Sequence, residues 1–396
     1  MIRIVFTADN HLNKYYAKMT ADQLARRRQR IREAWAQTVD FAIEKRAHFY
    51  LHGGDLFDTP NPRTSELVWV ARQLQRLQDA GVTIYAIGGN HDVPKMRIEG
   101  ATPHRIYDEV RVAHVFTRTT EVEWATHEID GTTIAIGGLA PDPRLGRDDD
   151  PLEGVAIDPP EADVVLLLMH YAVEGTLYYE ANEPLLSKAA IAGLQGIDYL
   201  LVGHVHQKHQ LEIGGVTACF PGPTERMSFG ELEAPTGFLF MKFDGHRPVR
   251  ASIRRRRVDP QPMQRIEIRT TDLPPDDPTG YVFERVRAAS HADQLLQCRL
   301  EGPLSREVYH RLRFFDIWRL GNELNFYFDL DRRGTYLQEQ ADLDVGFSTQ
   351  RVSPRQEIEA VAEALAAEAE DVEERELIEE AKELALGRYR GEVGVI

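Results

Sequence analysis

The sequence predicts an α/β protein: two facing β-sheets flanked by helices, followed by a small α+β domain and C-terminal helices. Three observations carry that expectation. From residue 2 to about residue 87, short apolar runs rich in Val, Ile, Phe and Tyr alternate with helix-length amphipathic segments, the mark of βαβ units. From about residue 110 the runs shorten and crowd together, which suits a second sheet better than one doubly wound sheet. At Pro260-Gln261-Pro262 the pattern breaks again. The expected division is a two-sheet domain at 1–258, an α+β domain at 263–335 and a tail at 336–396.

Taken in order, Ile2–Phe6 reads as the first strand, and the apolar face of Leu24, Ile31, Trp35, Phe41 and Ala42 as a helix over Thr20–Lys45. Arg26, Arg27, Arg30 and Glu33 are assigned to the other faces of that helix. Phe49–Leu51 and Val82–Ile87 follow as strands around a helix at Thr64–Asp79. Short strands at Val112–Phe116, Glu121–Trp124 and Thr132–Ile136 come next, with Asp130-Gly131 turning a hairpin. Pro141–Pro160 reads as a loop, then Val164–Met169 and Tyr199–Val202 as strands, with more strands up to about Arg257. The α+β domain reads as strand Arg265–Arg269, helix Tyr281–Ala288, strand Leu295–Leu300, helix Ser305–Phe315 and strand Glu323–Phe328. Gln356–Leu386 has helical apolar spacing.

Charged residues are 28% of the 396 and hydrophobic ones 42%, ordinary for a globular protein. A formal net charge of −16 excludes a global basic surface for nucleic acid or membrane. Residues 357–386 hold twelve Asp and Glu against two basic residues, so ten of the sixteen negative charges sit there and a basic groove elsewhere stays open. Cys219 and Cys298 form neither a disulfide framework nor a zinc-finger pattern and read as small buried residues in a reducing compartment. No signal segment opens the sequence, and Val164–Met169 is far too short to span a bilayer, so the expected location is the cytoplasm.

Five polar clusters stand at the apparent strand ends. Asp9 and His11 close the first, Asp55 and Asp58 the second, and Asn90, His91 and Asp92 the third. His170 ends the run from Val164, and His204 and His206 follow Gly203. Mixed carboxylate, imidazole and amide donors suit a transition ion such as manganese, iron or zinc. Seven ligands (Asp9, His11, Asp55, Asn90, His170, His204 and His206) exceed what one ion takes, so two ions are expected, with Asp55 able to bridge them. Such a pair suits in-line attack on phosphorus, where it stabilises the attacking and leaving oxygens. Any one of these histidines is as readily a hydrogen-bonded core residue. Five clusters in the order D-x-H, G-D-x-x-D, G-N-H-D, apolar-H and G-H-x-H argue against coincidence.

With those motifs the sequence resembles the calcineurin-like metallophosphoesterases over roughly residues 1–210. Within them it looks like the SbcD-type DNA repair exonucleases, through Asp9-Asn10-His11-Leu12, Gly54-Asp55-Leu56-Phe57-Asp58 and an α+β segment like that family's capping domain. The resemblance implies a manganese-dependent DNA nuclease with the metallophosphoesterase fold. Asp9, His11, Asp55 and His206 would hold one ion, and Asp55, Asn90, His170 and His204 the other. His91 would protonate the leaving oxygen. Asp58 departs from the archaeal and eukaryotic nucleases, which carry His there; as in the bacterial members and related protein phosphatases, it would orient His91 and raise its pKa. Asp92 reads as a loop stabiliser. The resemblance also implies a homodimer and an SbcC-type, SMC-like ATPase partner, which the acidic C-terminal helix would dock unless it packs on its own chain.

For DNA, Tyr15 and Tyr16 either stack on a base or fill a loop core. Arg26, Arg27, Arg28 and Arg30 either track phosphates or form a solvated helix face. Arg254 and Arg256 would share one side of a strand and line a groove. The rival readings are a phosphodiesterase or phosphatase acting on small molecules or phosphoproteins, and a structural subunit whose metal site serves assembly.

Overall fold

The computed structural model describes residues 1–94, 102–176, 183–206, 209–244 and 251–337, with scattered helical positions between 361 and 386. Most of the acidic C-terminal helix therefore lies outside the described residues, and with it the expected ATPase dock.

The chain opens with β1 (Ile2–Thr7), α1 (Ala21–Glu44), β2 (Phe49–Gly53), α2 (Thr64–Asp79), β3 (Thr83–Ile87), the short α3 (Arg105–Glu109) and β4 (His114–Phe116). Next come β5 (Glu123–Ile129), β6 (Thr132–Gly138), β7 (Val164–His170), the short β8 (Ala172–Val173) and β9 (Leu185–Leu186), α4 (Lys188–Ala192), β10 (Tyr199–Gly203), β11 (His209–Ile213) and β12 (Val216–Phe220). β13 (Gly237–Phe243) and β14 (Ala251–Arg257) return to the first sheet. The last part holds β15 (Met263–Arg269), α5 (Pro278–Ala289), β16 (Leu295–Leu304), α6 (Arg306–Arg311), α7 (Phe314–Leu324) and β17 (Tyr327–Leu337).

Two six-stranded sheets result, in the orders β14-β13-β1-β2-β3-β4 and β11-β12-β10-β7-β6-β5. β1 to β4 run parallel, as do β6, β7, β10 and β12, while β13, β14, β5 and β11 pair antiparallel with their neighbours. Strand alternation builds the layers. Ile4 and Phe6 of β1 pack between the sheets against a cluster that includes Leu166, Leu168 and Leu201, whereas Val5 faces outward to the Ile31, Trp35 and Val39 stripe of α1. Two facing sheets, as expected, replace a single doubly wound one. The hairpin turn sits where Asp130 and Gly131 place it, with φ of 52° and 75°, both left-handed as a two-residue hairpin loop demands. Helix α1 starts at a capping box in which Gln23 N donates to Thr20 Oγ1 at 3.3 Å and Thr20 N to Gln23 Oε1 at 3.0 Å. Both cysteines are buried thiols.

A three-stranded sheet, β15-β16-β17, carries α5 and α7. One expectation fails here: Glu323–Phe328 is not a strand. Residues 314–324 form α7, and the strand begins at Tyr327. Ile317 and Gly321 are the buried face of α7, and a Cβ on Gly321 would stand 2.2 Å from the Phe328 ring, so the glycine that looks like a helix breaker is the seat for that ring. Helix Ser305–Phe315 is likewise broken into α6 and the start of α7.

Candidate metal centre

All the nominated ligands arrive at one edge of the sandwich, where the C-terminal ends of β1, β2, β3, β7 and β10 meet. Asp9, His11, Asp55 and His204 take left-handed φ of 56°, 47°, 53° and 81°, a conformation that costs a side-chain-bearing residue about 1–3 kcal/mol. Hydrogen bonds hold it: Asp9 N donates to Gly54 O at 3.1 Å, His11 N to Asp55 O at 3.0 Å, and His204 N to Asp9 Oδ1 at 2.8 Å. Gly89 is required by approach alone, since a Cβ there would lie 2.1 Å from Asp55 Oδ1.

The donor atoms converge in two overlapping groups. His11 Nε2 is 3.0 Å from His206 Nε2 and 3.8 Å from Asp55 Oδ2. On the other side of Asp55, His170 Nε2 lies 3.3 Å from the same Oδ2, and Asn90 Oδ1 stands 3.0 Å from His170 Nε2 and 3.1 Å from His204 Nδ1. Asp9, His11 and His206 offer atoms within 4.8 Å of one another, as do Asp9, Asp55 and His170. Asp9 Oδ2 is buried with no hydrogen-bond partner. Burial alone would lower the pKa of His170, but the Asp55 carboxylate, together with Asp9 and the Gly53 carbonyl, more than offsets it and lifts the ring to about 10. That field, strong enough to hold a proton in the interior, equally favours a cation. The residues therefore fit a pair of divalent ions sharing Asp55.

The outward atom of each imidazole also faces an oxygen. His170 Nδ1 faces Gly53 O at 2.7 Å, His11 Nδ1 faces Asp58 Oδ1 at 3.3 Å, His204 Nε2 faces Glu183 Oε2 at 2.8 Å and His206 Nδ1 faces Glu231 Oε2 at 3.4 Å. Beneath the site, His52 Nε2 meets Asn10 Oδ1 at 2.7 Å. Sequence reading missed Glu183 and Glu231, which stand outside the motifs, and His52, which lies in β2 three residues before Asp55.

His91 sits at the mouth, 38% exposed, its ring edge-on to His11 at 4.8 Å. The expected pairing with Asp58 is loose, 3.9 Å from Nδ1, because that carboxylate is drawn first to Lys14 Nζ at 2.7 Å and to His11. The expected upward pKa shift of His91 is not seen: burial lowers it, and Asp55 and Asp58 do not restore it. Burial would raise Asp58, but His11 and Lys14 hold it below the usual range. Asp92 is wholly buried and takes Gly89 N–H at 2.6 Å and Phe57 N–H at 3.2 Å, the loop-fastening role expected of it.

The residues nominated for DNA divide. Tyr15 is 67% exposed, whereas Tyr16 packs on the core with its hydroxyl 3.7 Å from Met227 Sδ. Arg27 is a correction: it is wholly buried, ion-paired to Glu225 at 3.1 Å and bonded to Gln261 Oε1 at 3.0 Å, so it cannot reach a phosphate. Arg28 is also buried, donating to Lys14 O and Asn13 O. Arg30 pairs with Asp293 and Glu33, and Arg26 lies over the Phe326 ring at 5.0 Å. The arginine run of α1 thus fastens the three-stranded module to the sandwich. Arg254 and Arg256 stand opposite Phe240 and Phe238, on the helix-facing side of the first sheet rather than between the sheets.

A two-sheet α/β sandwich with such a cluster at its strand ends belongs to the class of binuclear phosphoesterase folds. Residues 2–208 match the calcineurin-like phosphoesterases, and the chain belongs to that family. Three archaeal relatives each carry the name DNA double-strand break repair protein Mre11. The one from Haloferax volcanii is 27% identical over 76% of this chain and 62% of its own length. Those from Saccharolobus solfataricus and Methanopyrus kandleri are 25% and 28% identical, over 70% and 61% of this chain and 68% and 54% of theirs. The chain thus spans less than two thirds of the Haloferax and Methanopyrus relatives. No helix among the described residues is long and apolar enough to cross a membrane.

Proposed function

We propose that the chain is a DNA nuclease, exonucleolytic or endonucleolytic, that hydrolyses phosphodiester bonds in DNA repair with two divalent ions, manganese by preference. The observation that carries the proposal is the convergence of seven donor residues from five strand ends on a shared Asp55, joined to relatives named as double-strand break repair proteins. Asp9, His11, Asp55 and His206 hold one ion, and Asp55, Asn90, His170 and His204 the other. When bound, the ions stabilise the attacking and leaving oxygens of an in-line displacement at phosphorus.

The chain's own groups supply the rest. His91 is the group at the mouth placed to donate a proton to the departing oxygen. Asp58, facing both His11 and His91, sets the ring orientations at its 3.3 and 3.9 Å contacts. Lys14 neutralises that carboxylate and brings a positive charge beside the incoming phosphate. Exposed Tyr15 and Arg26 remain candidates for DNA contact, with Arg254 and Arg256 on a separate face.

We assign residues 1–258 to the nuclease domain, 263–335 to a capping domain and 336–396 to a tail that docks an SbcC-type ATPase. A homodimer is part of the proposal. Exposed Val68 on α2, Ile106 on α3 and Val110 just after it support the dimer, and the 3.3 Å bond from Tyr107 Oη to Leu67 O holds the two helices side by side.

The test is purified protein with Mn²⁺ on single- and double-stranded DNA, beside a chromogenic phosphodiester, a cyclic nucleotide and a phosphopeptide. DNA cleavage that Asp55→Asn abolishes, and that His91→Ser abolishes with both ions retained, is the expected result. Intact DNA with a cleaved phosphopeptide or small diester would establish the phosphatase reading instead. Loss of ions from His91→Ser would make His91 a ligand, within the cluster it forms with His11 and Asp58.

A further inference from the structure

Two carboxylates outside the sequence motifs touch the donor cluster, one on each half. Glu183, just before β9, places Oε2 2.8 Å from His204 Nε2 and takes a hydrogen bond on Oε1 from Asn90 Nδ2 at 2.9 Å. Its two partners present their other atoms, His204 Nδ1 and Asn90 Oδ1, 3.1 Å apart on the inner side. One carboxylate therefore stands against the outward atoms of two neighbouring ligands, hydrogen-bonded to Asn90 and at ion-pair distance from His204. Glu231 ends a single helical turn, Phe229–Glu231, and is itself held by Met227 N–H at 3.0 Å and Ser228 Oγ at 3.4 Å. Its Oε2 lies 3.4 Å from His206 Nδ1, whose ring directs Nε2 to His11.

The chemistry of the pairs is directional. A carboxylate only accepts, so the Asn90 side facing Glu183 must be its NH2, and the amide oxygen is left pointing inward. An imidazole that ligates through one nitrogen carries its proton on the other, and a carboxylate at that N–H fixes the tautomer and strengthens the ligating lone pair. These side chains are 14–21% exposed, so water competes weakly for the contacts.

We infer that Glu183 and Glu231 are positioning residues, one for each ion: Glu183 for the ion of Asn90, His170 and His204, Glu231 for the ion of His206. The inference rests on the two-ion reading above. It differs from a merely structural role in being selective, since a carboxylate that only fastens loops would change folding stability and spare the ions or lose both together.

The experiment uses the full chain stripped of metal, in wild type, Glu183→Ala, Glu231→Ala and the double variant, with Glu183→Gln and Glu231→Gln as same-shape companions should either alanine lower the melting temperature of the apoprotein. Mn²⁺ is titrated by calorimetry, and low-temperature electron paramagnetic resonance reports whether the ions are paired. Wild type is expected to bind two ions with an exchange-coupled signal. Each single variant should keep one ion tightly and bind the other about 10- to 100-fold more weakly, with an uncoupled signal, and the double variant should weaken both. Two ions bound as tightly in the double variant as in wild type would overturn the inference, as would single variants that lose both ions together. A wild type that binds fewer than two ions would overturn the two-ion reading and this inference with it.

Discussion

Replacing Arg27 with Met separates the reading of α1 as a DNA-binding surface from the buried lock found in the structure. Arg27 and Glu225 are both fully buried and 3.1 Å apart. Removing the guanidinium leaves Glu225 in the interior with only the Gln261 and Arg226 backbone N–H groups, at 2.8 Å each, to hold its charge. Gln261 Oε1 and Arg226 O lose their donor as well. Stranding one member of a buried pair costs about 3–5 kcal/mol, whereas replacing both members by uncharged groups of similar volume is often neutral or stabilising. Arg27→Met should therefore destabilise by about 3–5 kcal/mol, and Arg27→Met with Glu225→Leu should regain most of that. Arg26→Ala, with its side chain 58% exposed and 3.7 Å from Asp22, should cost at most about 1 kcal/mol. The assay is urea unfolding of metal-free protein, read by tryptophan fluorescence with buried Trp35 as the nearby reporter. Its companion is the salt dependence of DNA binding, which Arg27→Met should leave unchanged. A variant within about 1 kcal/mol of wild type that loses one counterion from its salt slope would refute the buried-lock reasoning and restore Arg27 to the DNA surface.

His52 should make the fold acid-sensitive, because its Nδ1 accepts the Gly54 N–H at 3.2 Å and burial, then His104 and His170, push its pKa well below 6.5. With the folded pKa below the unfolded one, the unfolded chain takes up the proton first. The stabilisation is then complete above about pH 6.5 and drains as pH falls toward the folded value, by up to about 1.4 kcal/mol per unit. His52→Gln should flatten the urea midpoint between about pH 7.5 and 5, and equal slopes in the two proteins would defeat the assignment. Gly89→Ala would drive a methyl to within 2.1 Å of Asp55 Oδ1 and 2.4 Å of Asp55 N, so the shared carboxylate must move and both ions should bind more weakly in a calorimetric titration; unchanged Mn²⁺ affinity would show that the loop yields instead.

The site was legible in the sequence because its donors sit where strands end, and strand ends announce themselves by an apolar run stopping at Gly or at a polar side chain. What sequence could not place was anything reaching the site from a loop. Glu183 and Glu231 follow no strand and keep no spacing to their partners, and Asp58 was assigned to His91 when its nearest imidazole is His11. The error over Arg27 is of another kind, since the signal was present. Arg27 falls three residues after Leu24 and four before Ile31, both buried on the core stripe of α1, so helical periodicity already placed it inside. A buried charge needs only a partner, and Glu225 supplies it from almost two hundred residues away in the chain. In α7 a strand was expected from Glu323, where a helix runs on to Leu324 and seats the Phe328 ring on Gly321.

These corrections bear on where specificity resides. The inner donors are set by backbone: Asp9, His11, Asp55 and His204 take positive φ, and Asp9, His11 and His204 are tied by their N–H groups to Gly54, Asp55 and Asp9. A centre set by backbone in this way holds its donors in one arrangement whichever phosphoester is bound. A choice of DNA must then be made by groups that are less constrained. His91, Lys14 and Tyr15 lie outward of the donors, partly or largely exposed. Changes confined to that outer set should alter which phosphoester is cut while the ion stoichiometry stays fixed, whereas changes at Gly54 or Gly89 should do the opposite. Arg27 and Arg30 of α1, which looked like part of the substrate surface, belong to neither group, since they are taken up by Glu225 and Gln261 and by Asp293.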